Sequence, residues 1–211
     1  MKTVNKKLLA VAVAGVLGMG SVSAMAADGL SANVAITSNY VWRGVVQADK
    51  ENAPTMQGGF DYTSGDFSVG TWGSSLYGAG TEIDLYGAYQ AGPVSIGAIY
   101  YYYGGGDFYE VNVGGDVGPV SLKASYSPDV AGSSTYYVEG GYSMPMGKAS
   151  LDLHAGYGTS YLNSSGNAAL DYSIGVSGSA GGFDLAAAYS STDAVSPFSA
   201  GQFAVTASKS L

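Results

Sequence analysis

From residue 30 to the C-terminus, apolar and polar positions alternate with a period of two, in runs broken by Gly, Pro, Asn, Asp and Ser. Helical periodicity is absent, so the pattern predicts strands, about twelve of them at an ordinary length of ~10 residues. One face carries Val34, Ile36, Tyr40 and Trp42 in the first strand, Met56, Phe60 and Tyr62 in the second, and later Ile83, Leu85 and Tyr89, then Val94, Ile96, Tyr100 and Tyr102. The opposite face carries Asn39, Arg43, Gln57, Asp61, Glu82, Asp84, Glu110, Lys123, Glu139, Asp152, His154, Asp171 and Asp184. Residues 66–76 give a divided signal, with Phe67 and Val69 on one face and Trp72 and Leu76 on the other.

The connections have a rhythm of their own. Tight turns at 63–66, 90–93, 116–119, 144–148 and 179–182 alternate with connections that are mostly longer and more polar, such as 47–53, 127–134, 158–167 and 190–199. An up-and-down barrel with turns at one membrane surface and loops at the other produces this alternation. Tyr40, Trp42, Tyr62, Tyr89, Tyr100, Tyr102, Tyr126, Tyr142, Tyr157 and Tyr189 fall toward strand ends, as an aromatic girdle at two interfaces requires. The run of four tyrosines at 100–103 then divides, with Tyr100 and Tyr102 outward and Tyr101 and Tyr103 inward beside a glycine-rich loop. A soluble β-sandwich or lipocalin-like barrel shows the same alternation with its apolar face turned inward. Against it, the mid-strand apolar residues are interspersed with Gly and Ala, thin material for a close-packed core. The expected fold is therefore an all-β, transmembrane, up-and-down antiparallel barrel.

Composition narrows the setting. Residues 1–26 read as a cleaved signal peptide, with Lys2, Lys6 and Lys7, an apolar run, and small residues ending at Ala26. Removing these 26 residues and their three lysines from 211 leaves a single barrel domain, 27–211, of 185 residues with a formal charge of −11. That balance disfavours nucleic acid as a partner. With no cysteine, neither disulfides nor thiolate metal sites are open to the chain. Loop carboxylates lack the spacing of a calcium loop, and GGG at 104–106 precedes no helix that could cradle phosphate. No metal or cofactor is implied.

The inward ionisable groups are mostly acidic, so a water-filled lumen should favour cations. Arg43, a guanidinium among carboxylates, is placed to bridge the interior and narrow it. His154, two residues from Asp152 on the same face, resembles half of a catalytic pair, but no nucleophile with an orienting third group stands out from the many serines, and a lumenal polar role is preferred.

The stretch 33–62, with its Asn-Val start, the aromatics Tyr40 and Trp42, the step Arg43-Gly44, and then Gln47, Pro54 and Gln57-Gly58-Gly59, resembles the opening of the TorF family of proteobacterial porin-like exported proteins. Weaker matches are 70–75, 82–89 and the C-terminal FAVTASKSL, while Val46 and Leu211 depart from the family pattern. The resemblance implies an outer-membrane location and a channel-like role. The expected function is passive diffusion of small polar solutes, cationic or neutral, by a non-enzymatic porin-like barrel whose partners are outer-membrane lipid and those solutes. The alternative is a closed barrel with a structural or surface-interaction role through its loops.

Overall fold

The computed structural model describes residues 29–48, 51–159, 165–196 and 201–211, so the expected signal peptide lies outside the described residues. Among the described residues, the alternating segments form fourteen strands. They are β1 (Gly29–Thr37), β2 (Val41–Trp42), β3 (Val45–Val46), β4 (Thr55–Ser64), β5 (Phe67–Leu76), β6 (Gly80–Ala91) and β7 (Val94–Tyr102), followed by β8 (Phe108–Val117), β9 (Val120–Val130), β10 (Ser133–Met146), β11 (Ala149–Thr159), β12 (Ala168–Ala180), β13 (Phe183–Thr192) and β14 (Gln202–Ser210). All except β2 and β3 join one closed antiparallel barrel of twelve strands, and β1 completes the ring by pairing with β4 on one side and β14 on the other. Closure leaves no sheet edge unpaired, the condition that hydrocarbon imposes on a β structure.

The faces are inverted relative to a soluble domain. Ile36, Phe60, Leu85, Ile96, Val113, Leu122, Ile174 and Val205 stand exposed on the outer surface. The strand positions between them, among them Gln57, Glu82, Asp84, Glu110, Ser125, Asp171 and Ser190, are buried within. Following the alternation round the barrel, the outward series of the described strands carries one charged side chain, Lys209, at the end of β14 over the ring of Phe183. A charge at the middle of a lipid-facing strand costs about 2–4 kcal/mol, so this distribution suits hydrocarbon and leaves the soluble alternative without a core.

Each of the five tight turns is a two-residue connection between adjacent strands. At the opposite end one expected long loop is absent. Residues 127–134 are mostly strand, because β9 runs to Val130 and β10 starts at Ser133, joined through Ala131 and Gly132 at φ +52° and +85°. That pair of positive φ values makes a two-residue hairpin turn.

The divided signal at 66–76 resolves as one regular strand. Phe67 and Val69 face outward, whereas Trp72 and Leu76 are buried inside. Their inward position follows from what fills that end of the barrel.

Candidate functional site

The chain leaves the wall after Thr37. Ser38 still donates to Val205 O at 2.9 Å, but from Asn39 onward the backbone turns into the lumen as a hairpin. Gln47 N donates to Tyr40 O at 2.9 Å, Val41 pairs with Val46, and Trp42 pairs with Val45. Arg43 and Gly44 form the two-residue turn at φ +48° and +76°, the left-handed pair that a twisted hairpin demands. Glycine is required at the second position on two counts, since a Cβ there would also lie 2.6 Å from Thr192 Cβ.

This hairpin plugs the loop-side mouth. The Tyr40 ring meets Trp72 edge-on at 5.7 Å, and the Trp42 ring meets Tyr101 at 6.0 Å, with Tyr101 stacked on Phe108 at 4.6 Å. On the other flank Val45 packs against Ala169 and Ala194. At its base Asn39 Nδ2 donates to Gln202 Oε1 at 3.0 Å, and Gln202 Nε2 donates to Glu51 Oε1 at 2.9 Å. Contacts thus reach β5, β7, β8, β12 and β14, so the plug is seated from every side. Burial pushes the Tyr40 phenol well above its ordinary pKa, aided by the charges of Glu82 and Asp84, so the ring stays neutral.

Arg43 fastens the tip. One terminal nitrogen donates to both oxygens of Glu110, at 3.0 and 2.9 Å, while the guanidinium lies between the rings of Trp42 and Tyr137, 4.2 and 4.0 Å from their centroids. Burial opposes the charge, but the carboxylates of Glu110 and Glu139 outweigh it and hold Arg43 above its ordinary value, firmly protonated. Beneath it Tyr137 donates to Asp171 Oδ2 at 2.8 Å, and His154 Nε2 lies 3.1 Å from Asp171 Oδ1 and 3.2 Å from the Tyr137 hydroxyl. Glu139 joins this layer through Lys123 at 2.6 Å and His154 Nδ1 at 3.7 Å. Arg43, Glu110, Tyr137, Asp171, His154, Glu139 and Lys123 thus form one polar layer along the β8–β12 wall at the plug tip.

Toward the turn side the lining is polar and more open. Tyr86 donates to Asp61, Ser143 and Ser177 donate to Asp152, and Ser179 donates to Asp184, which is exposed at the rim. Asp152 and His154 therefore have separate partners, and the catalytic pairing weighed from their spacing does not form. Gln57, Glu82 and Asp84 are buried on the inward faces of β4 and β6.

Two expected girdle residues are corrected. Tyr40 and Trp42 share the outward parity of Val34 and Ile36, which predicted a lipid-facing position, yet they are 1% and 8% exposed inside the barrel. The strand that would have carried them outward ends five residues before Trp42, and parity loses its meaning once the chain leaves the wall. Tyr62, Tyr89, Tyr100, Tyr102, Tyr126, Tyr157 and Tyr189 are exposed on the outer surface, and Tyr142, half-buried, follows the same alternation. The residues that seat the plug, Trp72, Leu76, Tyr101, Phe108 and Tyr137, escape a search for polar site residues. Their trace in the sequence is aromatic and aliphatic side chains at inward phase, at 72, 76 and 101.

The closed twelve-stranded antiparallel barrel is a fold that this chain shares with solved outer-membrane proteins. The chain belongs to the family described as a bacterial protein of unknown function (Gcw_chp), which matches residues 22–210. Its fold is similar to that of the Acinetobacter baumannii outer membrane protein Omp33, with a TM-score of 0.54, 8% identity, and coverage of 87% of this chain and 98% of that one. It is also similar to the NanC porin, with a TM-score of 0.52, 9% identity, and coverage of 85% and 98%. A comparison with curated proteins finds no match.

Proposed function

We propose that this chain is exported by its first 26 residues and sits in the bacterial outer membrane as a porin-like channel of TorF type, passing small polar solutes, cationic or neutral, by diffusion. The observation that carries the reading is the inversion of the barrel. Its outer surface suits lipid, while its lumen is polar and holds more acids than bases. Among the described lumenal groups, Arg43 and Lys123 are each paired with a glutamate, which leaves Asp61 and Asp152, met only by neutral hydroxyls, to set the field. An acidic lining raises the local concentration of cations and opposes anions. The plug narrows the loop-side mouth, and the polar layer lines the wall at its tip.

Recording from the purified barrel in planar bilayers under a KCl gradient tests this. Discrete conductance steps with a reversal potential favouring K⁺ are expected. Silence from folded protein would defeat the channel, and an anion-favouring potential would defeat the selectivity alone. The plug itself favours a second reading, a barrel closed at rest that acts through its loops, and this gains support if wild-type protein is silent while plug-loosened variants conduct.

A further inference from the structure

Asp84 is fully buried, yet neither of its carboxylate oxygens has a hydrogen-bond partner. Glu82, 1% exposed and two residues away on the same inward face, receives the Tyr103 hydroxyl at 2.7 Å and is also hydrogen-bonded by the Tyr40 hydroxyl, while its second oxygen, Oε2, has no partner. Among the described residues no basic side chain reaches either one, since Arg43 is engaged by Glu110 and Lys123 by Glu139. An ionised carboxylate held out of water without a counter-charge is among the least favourable arrangements a protein can hold. A proton shared within the pair, or a cation that takes its place, must compensate it.

The surroundings define what. Strand register puts Trp72 directly opposite Asp84 on one side and Tyr101 directly opposite on the other, so the carboxylate stands in a row between two inward rings. Tyr40 and Trp42 of the plug close over the row from the lumen, each edge-on to one of those rings. The site therefore offers three unused carboxylate oxygens, two of Asp84 and one of Glu82, beside aromatic faces, an environment that complements a compact cation carrying N–H groups. A divalent metal is poorly served, since it needs six or more oxygen ligands, and no group of three or more metal-ligating side chains occurs among the described residues.

We infer that Asp84 and Glu82, roofed by Tyr40 and Trp42 and flanked by Trp72 and Tyr101, form a binding subsite for the ammonium head of a small primary amine. The cation's N–H groups donate to the free carboxylate oxygens, and its charge lies against the rings. The inference deepens the channel reading and rests on it only for the route by which the amine arrives. It also gives the plug a role in recognition, because half of the aromatic enclosure belongs to the hairpin.

The chain contains two tryptophans, Trp42 and Trp72, and both belong to this enclosure, so intrinsic fluorescence reports on it directly. The folded barrel in detergent is titrated at constant ionic strength with ethylammonium, tetraethylammonium or KCl. Ethylammonium should give a saturable change with a half-saturation at least tenfold below that of either control, and should raise the melting temperature of the wild-type protein. Asp84→Asn should weaken the ethylammonium response at least tenfold and abolish the thermal shift. Asp129→Asn, at an exposed strand end, should leave both intact. Heat-dependent migration on a gel establishes that each variant is folded, and the wild-type thermal shift needs no variant at all. No saturable response in folded wild type, equal responses to all three cations, or an undiminished response in Asp84→Asn would each overturn the subsite. A barrel that conducts without the fluorescence response retires the subsite and keeps the channel. One that binds the amine and passes no current does the reverse.

Discussion

Arg43 is the residue on which the state of the mouth depends. Its guanidinium meets Glu110 in a buried pair and lies between two rings, and breaking such a pair leaves the remaining charge without a partner, at a cost of about 3–5 kcal/mol. Arg43→Ala is therefore expected to loosen the hairpin, and Glu110→Gln to loosen it less, since the neutral amide can still accept from the guanidinium. Single-channel recording checks this through larger or noisier openings in both variants, with the larger effect in Arg43→Ala. Unchanged traces would mean that the plug is held without the pair. At this scale the sequence was informative about Arg43, whose charge among carboxylates pointed to a bridge. It misled about Tyr40 and Trp42, whose parity placed them on the outside. Alternation is a property of chain attached to a sheet, and nothing in the parity of residues 33–42 marks Thr37 as the last residue on the wall.

Among the elements, β10 and β11 show how one strand positions the site through another. Gly156 on β11 lies under the Tyr137 ring of β10, and a Cβ added there would collide with that ring and its hydroxyl. Only a bare backbone lets Tyr137 lie where it can stack on Arg43 and donate to Asp171. Gly156→Val should rotate Tyr137 away and free the plug tip while leaving the barrel closed, because neighbouring pairs of the β10–β11 ladder are untouched. The expected result is faster protease cleavage within residues 47–53 with an unchanged heat-dependent gel shift. Strand existence and the five tight turns were legible in the pattern. The phase of β5 was not, because Trp72 and Leu76 are apolar side chains facing inward, and they do so to cover the hairpin. The length of β9 and β10 was also misjudged, since Ser, Pro, Asp and Gly at 127–134 are turn formers that a long hairpin can absorb near its tip.

For the whole molecule the governing fact is which solvent each face meets. Val113, mid-strand on β8 and exposed on the outer surface, should not tolerate charge. Val113→Arg is expected to destabilise the barrel by about 2–4 kcal/mol in reversible unfolding from lipid bilayers, the cost of an arginine at the membrane midplane. A near-neutral effect would mean that this face meets water. Ring closure also creates what no single strand contains, a lumen in which side chains from β8, β10, β11 and β12 converge beneath one hairpin.

Local periodicity by itself determined the class of fold, the number of wall strands and the polarity of the two faces, because side chains alternate strictly along any strand and the turns between strands are written in a few residues. Tertiary structure alone decided that residues 38–48 leave the wall, that Arg43 meets Glu110, that His154 meets Asp171 rather than Asp152, and that Asp84 is enclosed by rings. Those contacts join positions from 12 to 67 residues apart. They exist only once the barrel has closed and its register is set, and no short-range pattern encodes them.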